Sequence, residues 1–114
     1  MTLIFKIVGA EEWRAAEKSG AFEGAAIDRA DGYIHFSTAE QAPETAARYF
    51  AGRGDLVLAA VDSAKLGEAL KWERSRGGAL FPHLYAKLPL AAVRWWRPLP
   101  LGKDGRHRFG RLDR

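Results

Sequence analysis

Cysteine is absent from all 114 residues. That excludes disulfides, thiolate chemistry, zinc fingers and iron–sulfur clusters. Long apolar runs are missing too, and none approaches the ~18 residues that a membrane-spanning helix needs. Met1 to Val8 leads straight into charged sequence without signal-peptide architecture, which predicts a cytoplasmic chain with no membrane partner. No internal repeat or low-complexity segment occurs. The Walker and dinucleotide-binding glycine fingerprints are absent, as is the G-x-S-x-G elbow that would make Ser37 a hydrolase nucleophile. The histidines show no metal-ligand spacing. A set of His35, His83 and Glu73 could be assembled only by the fold, so no metal is expected.

What is present describes an ordinary globular protein. Hydrophobic residues make up 47% and charged residues 28%, enough for one core in one domain of 12.6 kDa. The net charge is +4 and the pI about 9.7. Five basic residues and two acids fall in residues 103–114, so that tail carries +3 and residues 1–102 only +1. No stripe of Lys/Arg interleaved with aromatics runs through the body, which argues against a nucleic-acid partner. The tail reads as a solvated basic appendage to a domain over residues 1–102, and RNA accessory binding through it is the weakest functional reading.

The order of elements reads as strand, helix, strand, helix, strand, turn and three more strands. Residues 3–8 form a buried strand interrupted by Lys6, and residues 11–19 a helix closed by Gly20. Residues 21–32 have no period and read as a loop. Residues 33–37 form a strand with Ile34 and Phe36 on one face and Tyr33, His35 and Ser37 on the other. Thr38 and Gln41 have capping-box form for a helix running to about Phe50, with Pro43 in conflict with its first turns. Residues 55–61 are the clearest central strand. A turn follows, then strands over 70–75 and 83–85, a helical turn entered through Pro89, and a final edge strand over 94–99. Helices early and strands late predict an α+β fold: one compact domain of small mixed sheets with two main helices.

Three groups of residues carry chemistry. Tyr33, His35 and Ser37, followed by Thr38, share a strand face that can line a cleft, with His35 as base or oriented donor. His83 and Tyr85 lie on one side of an extended segment and can grip a phosphate or a ring. In residues 72–78, Arg74 and Arg76 precede two glycines, an arrangement suited to an anion, and Glu73 offers an acid. The shared-site expectation is that His35, His83 and Tyr85 face one concave surface with Glu73 or Arg76 at its edge.

The runs Asp31-Gly32-Tyr33-Ile34-His35-Phe36-Ser37-Thr38-Ala39-Glu40-Gln41, Trp72-Glu73-Arg74-Ser75-Arg76-Gly77-Gly78 and Phe81-Pro82-His83-Leu84-Tyr85 together resemble a bacterial family, domain of unknown function nine-fifty-two. The resemblance spans nearly the whole chain and carries no established activity. It implies a distant likeness to ADP-ribosyltransferase-like folds and RNA 2′-phosphotransferases, which hold NAD or an ADP-ribosylated intermediate between two small sheets. On that likeness Lys6 takes the early-strand site, His35 the second-strand site and Glu73 the place of the acid, with NAD as the candidate cofactor. A charged lysine cannot accept a hydrogen bond from a ribose hydroxyl, a departure from the pattern.

The resulting expectation is a cleft for a nucleotide-like or phosphorylated small ligand in a monomer or weak dimer. His35, Glu73 and His83 are its catalytic candidates, and Lys6, Ser37, Thr38, Arg74, Arg76 and Tyr85 its binding candidates. If the chain is an enzyme, it is an NAD- or nucleotide-dependent transferase acting at ribose or phosphate. The alternative is a non-catalytic binding or interaction module.

Overall fold

A computed structural model describes residues 2–113, apart from the side chain of Arg76. Strand β1 (Leu3–Gly9) pairs antiparallel with β4 (Leu56–Asp62), and β4 pairs antiparallel with β8 (Val93–Leu99). The central β4 is buried along its whole length, which is why its sequence is continuously apolar rather than alternating. Its two faces build two cores. Val57, Ala59 and Val61 join Ile4, Val8 and Trp13 on one side, while Leu56, Leu58 and Ala60 join Phe5, Ile7 and Leu99 on the other. Pro98 sits in β8, an edge strand of this sheet, where a missing donor costs least.

A second sheet has the order β3 (Ile34–His35), β6 (Leu80–Leu84), β5 (Leu70–Arg74). Phe5 and Ser37 exchange backbone N–H···O bonds of 2.8 and 2.9 Å, so β1 lies against the end of β3 and joins the two sheets. A two-stranded ribbon, β2 (Ala21–Phe22) with β7 (Leu88–Pro89), covers one end. Helix α1 (Ala10–Ser19) buries Trp13 and Ala16, and α3 (Ala42–Tyr49) buries Ala42 and Ala46.

Three sequence expectations change. Residues 21–32 are not a loop: they contain β2 and the short helix α2 (Ala26–Asp31), a third helix beside the two expected. α2 is too short to show a 3.6-residue period, and what fixes it is tertiary. The helix predicted from Thr38 begins later, at Ala42, with Pro43 tolerated in its first turn. The capping box nevertheless forms one turn upstream, with Gln41 N donating to Thr38 Oγ1 at 3.2 Å and Thr38 N donating to Gln41 Oε1 at 3.1 Å. The tail is packed rather than free. Phe109 and Leu112 rest on the core beside Trp95, and Arg97 donates to the carbonyls of Phe109 and Arg111 at 2.5 and 2.6 Å. Two apolar residues spaced among its charges provide the anchor. The described chain is a compact α+β domain of small antiparallel sheets, and none of its described helices is long and apolar enough to cross a membrane.

Candidate functional site

The site begins with a buried charge. The alternation of β1 turns Lys6 to the same side as Ile4 and Val8, into the larger core, where only 5% of it is exposed. A buried ammonium requires a partner, and Asp28 of α2, 1% exposed, supplies it. Lys6 Nζ donates to Asp28 Oδ1 at 3.0 Å and to the His35 carbonyl at 2.9 Å. Asp28 Oδ2 also accepts from Ala25 N at 2.8 Å, and Oδ1 from His35 N at 3.0 Å. Two glycines make this possible. Gly24, at φ +108°, leaves no room for a side chain, since a Cβ there would come within 2.9 Å of Asp28 Cβ. Gly32, at φ +88°, adopts the left-handed conformation that ends α2 and sends the chain into β3.

Asp28 then orients an imidazole. His35 Nδ1 lies 2.6 Å from Asp28 Oδ1, and Nε2 lies 2.8 Å from Asp31 Oδ2. Burial opposes the Asp28 charge, but the hydrogen bond from His35 and the charge of Lys6 outweigh it and hold the carboxyl well below its ordinary value of 3.8. Burial in turn lowers the Lys6 ammonium from its ordinary 10.5, with Asp28 opposing. For a carboxyl with a depressed folded-state pKa, the stabilisation is present above the unfolded value and is lost as pH falls through the folded one. The stability advantage of the wild type over Asp28→Asn is therefore expected to hold near pH 6 and shrink as pH falls below 3.8. Urea unfolding of both proteins from pH 6 to pH 3 measures it; an advantage unchanged at pH 3 contradicts the assignment.

The second imidazole arrives by strand register. His35 and His83 are direct partners across β3 and β6, so their side chains emerge on one face. Their ring centroids are 5.7 Å apart. Tyr33 stacks on His83 at 4.1 Å and 26° and lies 4.7 Å from the His35 ring. Glu73 on β5 holds this second ring, with Oε1 2.8 Å from His83 Nδ1 and accepting from Tyr85 Oη at 2.8 Å. The His83 and Tyr85 bonds keep the Glu73 carboxyl below its ordinary value, and the same bond raises the Tyr85 phenol.

These rings form part of the wall of a cavity of about 590 Å³, also lined by Lys6, Glu12, Asp31, Ser37, Thr45, Tyr49, Arg53, Ser75 and several apolar side chains. Its volume and mixture of apolar wall and convergent polar groups fit a small-molecule site.

The structure thus brings His35, His83, Lys6 and Ser37 to one cavity. Glu73 and Tyr85 support His83 and Tyr33 from outside its described lining. Lys6 is spent on Asp28, and Ser37 Oγ is hydrogen-bonded to Thr45 Oγ1 at 3.0 Å. Thr38 is occupied by the capping box. Arg74 donates to the Gly78 carbonyl at 2.7 Å and closes its own turn, because the two glycines fold the chain back within reach of the guanidinium. The Arg76 side chain lies outside the described residues. Asp28 and Asp31 were not legible as site residues, because they fall in a stretch without periodicity. Among the described residues no group of three or more His, Asp or Glu is placed to hold a metal. Chelator treatment is expected to leave the melting curve unchanged, and a large fall in midpoint would show a structural metal.

Similarity to known proteins runs over nearly the whole chain. Protein CC0527 from Caulobacter crescentus, a structural genomics target solved by crystallography, is 54% identical, with a TM-score of 0.92 and 96% of each chain covered. Its solution NMR structure gives 56% identity and a TM-score of 0.84, covering 93% of this chain and 91% of that one. The ADP-ribosyltransferase-like relationship is not among what these matches show. No curated protein matches. Residues 7–96 match the family model described as protein of unknown function DUF952, and the chain belongs to that family.

Proposed function

We propose that the cleft binds a nucleotide-like or phosphorylated small ligand and that His35 meets its polar end. The observation that carries this reading is the buried Asp28 carboxylate fixing His35 at 2.6 Å in the wall of a 590 Å³ cavity. A buried carboxylate behind Nδ1 sets the orientation of the ring, as it does for histidines that donate to or take protons from a bound group. The apolar walls accept the ring of a nucleotide. In a transfer reaction at ribose or phosphate, His35 is the acid or base, with NAD the first cofactor to test. A specific observation favours the alternative of binding without chemistry: Lys6 and Ser37, two of the groups facing the ligand, are already committed to Asp28 and Thr45.

Melting in the presence of NAD, adenine nucleotides and sugar phosphates tests the reading. A ligand at one hundred times its Kd adds about 2.7 kcal/mol, or roughly 10–20 °C for a domain of this size. Release of nicotinamide from NAD then separates an enzyme from a binding module. No shift with any of these at millimolar concentration sinks the proposal and leaves an interaction module.

A further inference from the structure

The two carboxylates on His35 are held very differently. Asp28 is buried and accepts hydrogen bonds from Ala25 N, His35 N and Lys6 Nζ besides facing Nδ1. Asp31 is the last residue of α2, next to Gly32. Its side chain is 42% exposed, and it reaches His35 Nε2 through one oxygen. One carboxylate is built into the protein; the other rests on its surface. Asp31 and His35 both line the cavity, so the outer nitrogen, which is the one a ligand can reach, is capped by the protein's own anion.

We infer that Asp31 stands where the anionic oxygen of the ligand binds, and that a phosphate-type oxygen displaces it from His35 Nε2. This deepens the reading of the cleft as a ligand site and rests on it. The exchange conserves charge, because one anionic oxygen replaces another on the same nitrogen. Nε2 favours an anionic oxygen over a hydroxyl, since the charge-assisted bond is the stronger. Lys6, Glu12 and Arg53, the other charged residues at the cavity wall, do not cap Nε2 in this way: Lys6 is engaged by Asp28 at 3.0 Å and Arg53 by Asp55 at 2.9 Å.

The test is calorimetric titration at constant ionic strength with AMP, adenosine and inorganic phosphate. The proteins are the wild type, Asp31→Asn, Asp31→Ser and Glu12→Gln. Removing an internal competitor raises apparent affinity by the reciprocal of the fraction of molecules it had left free, so with Asp31 capping Nε2 in about nine molecules of ten both Asp31 variants are expected to bind AMP about tenfold tighter. Adenosine is expected to bind no tighter to them. Glu12→Gln removes the same charge from the same cavity without freeing Nε2, and is expected to raise AMP affinity by less than either Asp31 variant does. Wild-type binding of AMP that is equalled or weakened in both Asp31 variants overturns the inference and leaves the ligand site standing. An equal gain from Glu12→Gln also overturns it, by reducing the effect to general charge. No binding of any probe to any of the four proteins rejects the ligand site itself, and the inference with it.

Discussion

Replacing Asp28 by Asn is expected to destabilise the domain by about 3–5 kcal/mol, the usual cost of removing one partner of a buried ion pair. The amide keeps the volume but only one of the two acceptor oxygens that Ala25 N and His35 N use, and it leaves the Lys6 ammonium buried without a counter-charge. In a domain of this length that loss corresponds to a fall in melting midpoint of well over 10 °C, on the order of 4–8 °C per kcal/mol. The pair, not the carboxylate alone, sets the cost. Lys6→Met combined with Asp28→Asn removes both charges, and the double variant is expected to be more stable than Asp28→Asn alone. Denaturant unfolding of the two single variants and the double measures the coupling. Additive losses would show that Lys6 and Asp28 do not depend on each other.

Replacing His35 by Ala is expected to weaken binding of a nucleotide ligand by at least about tenfold, the loss of one hydrogen bond to a charged group. His35 is not an unattached cleft residue, so the substitution is not free in stability. Its ring satisfies Asp28, and its own carbonyl and N–H also serve the Lys6–Asp28 cluster. Deleting the ring leaves those backbone bonds in place, so the stability cost is about 1–2 kcal/mol, far less than for Asp28→Asn. Titration calorimetry and thermal melts on the same preparation separate the two quantities. Unfolding of His35→Ala, or unchanged affinity, would make His35 a packing residue.

The parts of this fold that were legible in the sequence are those set by local chemistry. The apolar run of β4, the helix closed by Gly20, the glycine break after β5 and the turn entered through Pro89 all lie where their residues put them. The alternation that separates Ile34 and Phe36 from Tyr33 and His35 also holds, with the first two buried and the others half-buried at the cavity, but Ser37, expected on the face of Tyr33 and His35, is buried on Thr45. What was not legible is long-range. α2 has six residues, and its anchor, Asp28, owes its position to a lysine 22 positions earlier. No pattern within residues 21–32 announces that partner. Lys6 shows in the sequence as an oddity in an apolar strand, and a buried lysine demands an acid, but not a particular one. The meeting of His35 and His83 depends on strand register, and the loss of Arg74 to Gly78 on the geometry of one turn. The packed tail was misread because its charge concealed the two apolar anchors, Phe109 and Leu112.

The central claim, a ligand cleft organised around His35, is tested most directly by titrating AMP and NAD into uniformly 15N-labelled protein and following the backbone amides. The account predicts that perturbed amides cluster at Asp31, Tyr33, His35 and Phe36 and at Phe81 and His83, around the cavity, and that His35→Ala abolishes the pattern. Perturbations confined to residues 103–113, or none up to millimolar ligand, would contradict it.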